Sequence, residues 1–374
     1  MDADWAAVRA EFPALARWTY LNTATFGQLP RCAVEAVARH FTRRDELACS
    51  DFLSWFDDAD RIRELAARLI HADPADIAFI PNAASALGLL LGGRQWRPGD
   101  RIVTLEHEFP NLIYHPALLT CRGLEFVEVP WERFQEVLTP NTRLVLVSEV
   151  NYITGFRVPL PELARELRRR GILLFVDGTQ SAGALRFDAA LVRPDMYAVH
   201  GYKWLLAPNG AGFMYVDRSL RERLLPNVIG WRSHCGWRQV DNLHHGAPVF
   251  RSEAEKYEGG MLAFPLLYAM EASLRLILEI GPERIERRVL ELAEMVRCIL
   301  RRAGGRLLSD EAPHYDSPVV AARFPGRPAA ALARALAERR VLVSARHDFL
   351  RVAPHFYNNE GDVARLEEEL ARIL

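Results

Sequence analysis

ILLFVDGTQSAGALRFDAALVRPDMYAVHGYKWLLAPNGAGFMYV, residues 172–216, decides how this chain folds. The run Ile172 to Val176 is apolar and stops on Asp177, followed by Gly178, Thr179 and Gln180. A second apolar run, Met196 to Val199, leads into His200-Gly201-Tyr202-Lys203. Short apolar runs bounded by turn residues read as buried strands. An acid and a lysine therefore fall at the ends of two strands, where one pocket could hold a cofactor by both ends.

Outward from this stretch, strands and helices alternate. Asp76 to Pro81, Arg101 to Leu105, Leu124 to Val129 and Arg143 to Val150 read as strands. Asn111 to Cys121, Trp131 to Leu138 and Pro159 to Arg170 read as helices, the last with proline near its start and Gly171 after it. Such alternation predicts an α/β chain with a mainly parallel sheet between helices. Ligands of such sheets sit at the carboxyl ends of the strands, where Asp177, His200 and the residues after Pro81 and Leu105 all lie. The segment 227–258 breaks the pattern with Trp, His, Arg and Gly; long loops of this kind are commonly functional. Beyond it, helices run to about residue 303, divided at Gly281-Pro282, and the tail reads as a small α+β unit. The expected division is a large domain over 21–255 and a small domain from 1–20 and 256–374.

The 374 residues are half hydrophobic and 25% charged, with a net charge of −1. That is ordinary globular composition. It gives no electrostatic argument for a nucleic-acid or membrane partner. No run approaches the ~20 apolar residues that span a bilayer, and the acidic N-terminus lacks a signal-peptide pattern. Five scattered cysteines argue for a reducing compartment, so a cytoplasmic location is expected.

A strand-end lysine can form a Schiff base with an aldehyde. A buried carboxylate nearby can keep a pyridine nitrogen protonated, which makes the conjugated ring an electron sink. Lys203 and Asp177 fit these roles. A phosphate on the same cofactor would need an anion site, and Asn82-Ala83-Ala84-Ser85 at a helix start offers backbone N–H groups and the positive end of the helix dipole. His200 and Tyr202 could add donors, and Gln180 could reach a phenolic oxygen.

Together, DGTQ (177–180), HGYKWL (200–205) and PNGAGFMYV (208–216) resemble the class V aminotransferase superfamily. These are fold-type I pyridoxal-phosphate enzymes and include cysteine desulfurases, kynureninases and isopenicillin-epimerase-like proteins. YLNTATFGQLP (20–30), ASALGLLLG (84–92), LEHEFPN (105–111), SEVNYITG (148–155) and LRVAPHFYN (350–358) are similar to further segments of that superfamily, in the same order. The resemblance implies a mainly parallel seven-stranded-type sheet and pyridoxal 5'-phosphate bound through Lys203. Asp177 would pair with the pyridine nitrogen and Gln180 with the phenolic oxygen. Ala83, Ala84, Ser85, His200 and Tyr202 would hold the phosphate, and Phe109 would stack on the ring. Arg351 would bind the substrate carboxylate, with Arg346 second in line, and Phe26 would face the substrate. A homodimer with shared active sites is implied, in which the loop Trp231–Gly260 serves the partner's pocket.

The chain departs from the superfamily pattern in three places. Tyr152 stands where an asparagine is usual and Asn151 lies one position earlier, so either could contact the cofactor or the substrate. Glu258-Gly259-Gly260-Met261 lacks a threonine that would bond the partner's phosphate. VLVSARHDFLRVAP (341–354) has no cysteine, which argues against cysteine desulfuration. His234, Cys235, His244 and His245 match no usual zinc spacing, and no metal is expected. The resulting order of functions is amino transfer first, then β-elimination or carbon–sulfur lysis, then epimerisation. Outside enzymology, the alternative is a cofactor-binding regulatory homologue.

Overall fold

The structure, a computed structural model, describes residues 4–374; the first three residues of the expected N-terminal part lie outside the described residues. Its strands in chain order are β1 (Thr19–Tyr20), β2 (Ile77–Ile80), β3 (Arg101–Leu105), β4 (Glu125–Val129), β5 (Thr142–Ser148), β6 (Leu173–Asp177) and β7 (Met196–His200). They continue with β8 (Gly212–Val216), β9 (Arg306–Leu307), β10 (Val320–Arg323), β11 (Val341–Leu342), β12 (Ser344–Arg346) and β13 (Phe349–Val352). Seven of them form one sheet in the order β2-β8-β7-β6-β5-β3-β4. Only β8 runs antiparallel to its neighbours; the pairs among β3, β4, β5, β6 and β7 are parallel. The expected mainly parallel seven-stranded sheet is present. The tail of the opening stretch forms a strand, β8, that its motif-like composition concealed.

The sheet is buried on both faces, and the period-two alternation of side chains divides it cleanly. Leu174, Val176, Val145 and Val147 enter one core; Leu173, Phe175, Leu144 and Leu146 enter the other. The crossover helix Leu160–Arg169 buries Leu160, Leu163, Ala164 and Leu167 and carries Arg168 and Arg169 in its last turn, where cations suit the dipole. Gly171 ends it at φ +68°, the left-handed conformation that a C-terminal cap requires.

A third core joins the helix ends near Leu292–Leu300 to the four-stranded sheet β12-β13-β10-β9 and to helices Ala329–Glu338 and Glu360–Ile373. This is the small α+β unit. Parts of the segments 1–20 and 256–374 also pack on the first core. Phe12, Leu15 and Tyr20 belong to the first core, as do Phe264, Leu267, Met270, Leu274 and Ile277 of helix Phe264–Ile280. The reason is side-chain burial: that helix lies on helices Arg31–Leu47 and Ser54–Leu69, and no composition change marks the transfer.

Candidate active site at the carboxyl ends of the strands

Asp177 is the last residue of β6 and Lys203 follows β7, its neighbour, so the register alone brings the two together. Both are buried. Burial lowers the Lys203 pKa to about 7 against the opposing pull of Asp177, and the Arg351 and Arg346 charges lower it further. Lys203 thus keeps a large share of free amine at neutral pH, where an ordinary lysine is almost all ammonium. Burial raises the Asp177 carboxyl, while hydrogen bonds from Thr179 and the charge of Lys203 pull it back. The Thr179 N–H donates to the Asp177 carboxylate at 2.8 Å, and the Thr179 hydroxyl oxygen accepts the His200 N–H at 3.1 Å.

These residues line one cavity together with Ala83, Phe109, Asn111, Ser148, Tyr152, Gln180, His200 and Tyr202; its empty volume, mouth included, is about 360 Å³. The Phe109 ring centroid lies 5.5 Å from Lys203 Nζ and meets Tyr152 edge-on at 5.2 Å. Gln180 is oriented by its neighbours. Its carbonyl accepts the Trp204 indole N–H at 2.9 Å and its amide donates to the Ala24 carbonyl at 3.0 Å, which leaves one amide proton for an oxygen in the cavity. Burial, then the Lys203 charge, lowers the His200 pKa to about 4, so His200 is neutral; its Nε2 accepts the Gly210 N–H at 3.3 Å, which places the proton on Nδ1.

The anion cradle is narrower than expected. Asn82 caps helix Ala83–Gly92, and its side-chain oxygen accepts both the N–H and the hydroxyl of Ser85, at 2.9 and 3.1 Å. Ser85 is therefore committed to the cap, and the N–H groups of Ala83 and Ala84 are the ones a phosphate would meet. Asn151 likewise spends its side chain locally. Its side-chain oxygen accepts from Ile153 N, Thr154 N and the Thr154 hydroxyl, and its amide donates to the His107 carbonyl. It closes its own turn, and Tyr152 is the member of the pair that lines the cavity.

Arg351 is 1% exposed on β13. It donates to Ser344 Oγ at 3.1 Å, to Thr25 Oγ at 2.6 Å and to the Tyr152 carbonyl. Phe26 stands at the mouth, about half exposed, and meets Tyr202 edge-on at 5.1 Å. The N-terminal loop reaches the site because Gly27 lets it: a Cβ there would lie 1.9 Å from the Lys203 carbonyl oxygen, and the Gly27 N–H donates to the Tyr202 carbonyl.

Four functional positions escaped the sequence reading. Glu108 is buried beneath the cavity, its pKa raised by burial to about 7. Thr179 holds Asp177. Thr25 carries both arginines. His355 is fully buried and donates from Nε2 to the Trp204 carbonyl at 2.9 Å, bracing the lysine loop. All four lie in segments that resemble the superfamily, YLNTATFGQLP, LEHEFPN, DGTQ and LRVAPHFYN, but their partners depend on which strand ends and loops become neighbours.

The segment 231–261 is anchored by charge. Arg232 is fully buried between the Phe56 and Trp237 rings and donates to Glu255 at 2.6 Å and Glu258 at 2.8 Å, while Arg63 donates to Glu258 at 2.6 Å. Glu258 thus serves the interior, whereas Met261 is 60% exposed. The His234 and His244 rings stack at 4.2 Å, and among the described residues no group of three or more His, Cys, Asp or Glu could hold a metal.

The class-V aminotransferase model matches residues 19–366. The chain belongs to the class-V aminotransferase family. It is 31% identical to isopenicillin N epimerase of Streptomyces clavuligerus, covering 98% of each chain, and 26% identical to an uncharacterized aminotransferase of Bacillus subtilis, covering 96% and 97%. Its fold matches a solved structure of a C-DES mutant with glycine covalently linked to the PLP cofactor, at 25% identity and a TM-score of 0.88, covering 97% and 98%. Pyridoxal phosphate is the cofactor of the family, and this class-V site fits it: a buried acid for the ring nitrogen, a lysine whose burial favours the free amine for the aldehyde, an aromatic wall, and a capped helix start for the phosphate. Lys203 and Lys256 are the only lysines in the sequence. Lys256 is buried, with its Nζ donating to the Arg221 carbonyl at 2.7 Å, which leaves Lys203 as the amine that faces a cavity.

Proposed function

We propose that this chain is a pyridoxal-phosphate-dependent enzyme acting at the α-carbon of an amino-acid-type substrate, and that its reaction is amino transfer. The carrying observation is the cavity-facing lysine, Lys203, buried and with its pKa lowered to about 7, beside the buried Asp177 in a cavity walled by Phe109 and Tyr152. When bound, the cofactor supplies the electron sink that makes an α-proton acidic. Asp177 would keep the ring nitrogen protonated, and Gln180 would give its remaining amide proton to the phenolic oxygen. Ala83 and Ala84 N–H groups, His200 Nδ1–H and Tyr202 would hold the phosphate, and Arg351 would receive the substrate carboxylate. Lys203 Nζ would take the α-proton as general base and return it as acid.

One base working on one face suits a proton shift between adjacent positions, the requirement of amino transfer. Epimerisation must deliver a proton to the opposite face; it is the second reading, favoured by the relative that is 31% identical over the whole chain. Protein-persulfide chemistry is disfavoured, because no cysteine lines the cavity. A homodimer and a cytoplasmic location accord with this reading.

The test is an amino-acid panel on the purified, cofactor-loaded protein, scoring keto acid, ammonia or sulfide, and racemised substrate separately. Keto acid formed in step with conversion of the cofactor to its amine form supports transfer. Racemised substrate alone moves the assignment to epimerisation. A protein that stays colourless with pyridoxal phosphate overturns the cofactor assignment. Arg351→Ala should mainly weaken substrate binding.

A further inference from the structure

Two guanidinium groups share one hydroxyl next to Tyr152, a wall of the cavity, whose carbonyl Arg351 bonds. Thr25 Oγ accepts from Arg351 at 2.6 Å and from Arg346 at 3.2 Å, and donates to the Asn22 side-chain oxygen at 2.8 Å. The two cations are thus held within a few ångströms of each other, one on β12 and one on β13. Neither has an ion-pair partner among the described residues: Arg346 otherwise donates to the Ala345 carbonyl, and Arg351 to Ser344 and the Tyr152 carbonyl. Arginine elsewhere in this chain is heavily paired, as Arg232 is between Glu255 and Glu258.

Like charges placed together and partly buried without a counter-ion destabilise a fold unless an anion arrives. Burial, then the neighbouring Arg346 charge, lowers the Arg351 pKa to about 9, and both guanidiniums depress the Lys203 pKa, so both are electrostatically close to the reacting amine. Donor counting gives the same answer. Arg351 uses three of its five N–H donors on the protein and Arg346 uses two. Five donors on two cations exceed what one carboxylate, bound by a single fork, consumes.

From this we infer that the site takes an amino-acid substrate with two anionic groups, the α-carboxylate on Arg351 and a second carboxylate on Arg346. The inference rests on the functional reading above and specifies its substrate class. Arg346 would be the specificity-determining residue, and Thr25 the group that sets the spacing between the two anions.

Calorimetric titration of the cofactor-loaded protein with succinate, glutarate and butyrate tests it without turnover. For wild type, one of the diacids should bind at least tenfold more tightly than butyrate. The diacid-to-butyrate affinity ratio should fall at least fivefold in Arg346→Gln and largely return in Arg346→Lys. Equal affinities for mono- and diacids in wild type, or an unchanged ratio in Arg346→Gln, would overturn the inference. The visible absorption of the loaded protein, recorded before any titrant, separates this outcome from failure of the cofactor assignment, which would show as no band at all.

Discussion

Ser148 ends β5 opposite Asp177 in the parallel register, and both its N–H and its hydroxyl donate to Glu108, at 2.7 and 2.5 Å. A carboxylate thus lies directly under the strand end that carries the acid of the site. The Ser148 bonds lower the Glu108 pKa, but burial outweighs them and Asp177 adds its repulsion, leaving the carboxyl at about 7. Ser148 binds Glu108 firmly enough to hold it in place, and burial keeps it half protonated. It is a positioning residue, supporting the floor of the cavity.

Glu108 and Lys203 give the cofactor-free protein a two-sided dependence of stability on pH. The folded Glu108 pKa lies above its unfolded value, so the native state binds more protons between about pH 4.5 and 7, and stability falls as pH rises through that window. Lys203 is depressed from 10.5 to about 7, so the unfolded state binds more protons above pH 7, and stability rises towards pH 10. His200 and His355, both held well below an ordinary imidazole, slope the other way in the acid window, so the contributions are read as differences from wild type. The melting-temperature difference between wild type and Glu108→Gln should change between about pH 4.5 and 7, and that between wild type and Lys203→Met between about pH 7 and 10. A difference that does not vary with pH would refute the assignment of the group replaced.

Gly27 should not tolerate a side chain. A Cβ 1.9 Å from the Lys203 carbonyl oxygen forces the N-terminal loop or the lysine loop to move. Gly27→Ala should cost roughly 1–3 kcal/mol, as overpacking does. It should also reduce cofactor affinity, read by titrating pyridoxal phosphate against the visible absorption band. Unchanged affinity would mean that the loop does not brace the lysine.

Arg232 anchors the loop after residue 230 through a buried ionic network. Burial alone would raise the Glu258 carboxyl, yet Arg63 and Arg232 hold it below its ordinary value. Arg232→Ala leaves Glu255 and Glu258 without that partner in the interior and should cost about 3–5 kcal/mol. Urea midpoints measure this. Loss under ~1 kcal/mol would show that Arg63 and Arg251 carry the network alone. Exposed ion pairs such as Arg218 with Glu222 should contribute little by comparison.

Residues 172–216 determined the fold class and the two central groups, because strand periodicity is local and Asp177 and Lys203 sit at strand ends whatever else the chain does. The ordered run of motifs extended this to Phe109, Gln180 and His200, which line one cavity, and to Arg351, which bonds the carbonyl of the lining residue Tyr152. The β8 strand and the local hydrogen bonds of Ser85 and Asn151 were not legible. Ser85 and Asn151 carry the right chemistry, but a cap and a turn nearby consume it, and competition for a hydrogen bond is settled only when the backbone is in place. Glu108, Thr25 and the Arg346–Arg351 pair were hidden for a related reason. Each derives its role from a neighbour distant in sequence: Ser148 forty positions from Glu108, Thr25 more than three hundred from both arginines. Local pattern encodes which side chains a segment offers. Only packing decides which of those donors and charges stay unspent, and the unspent ones define what this site can bind.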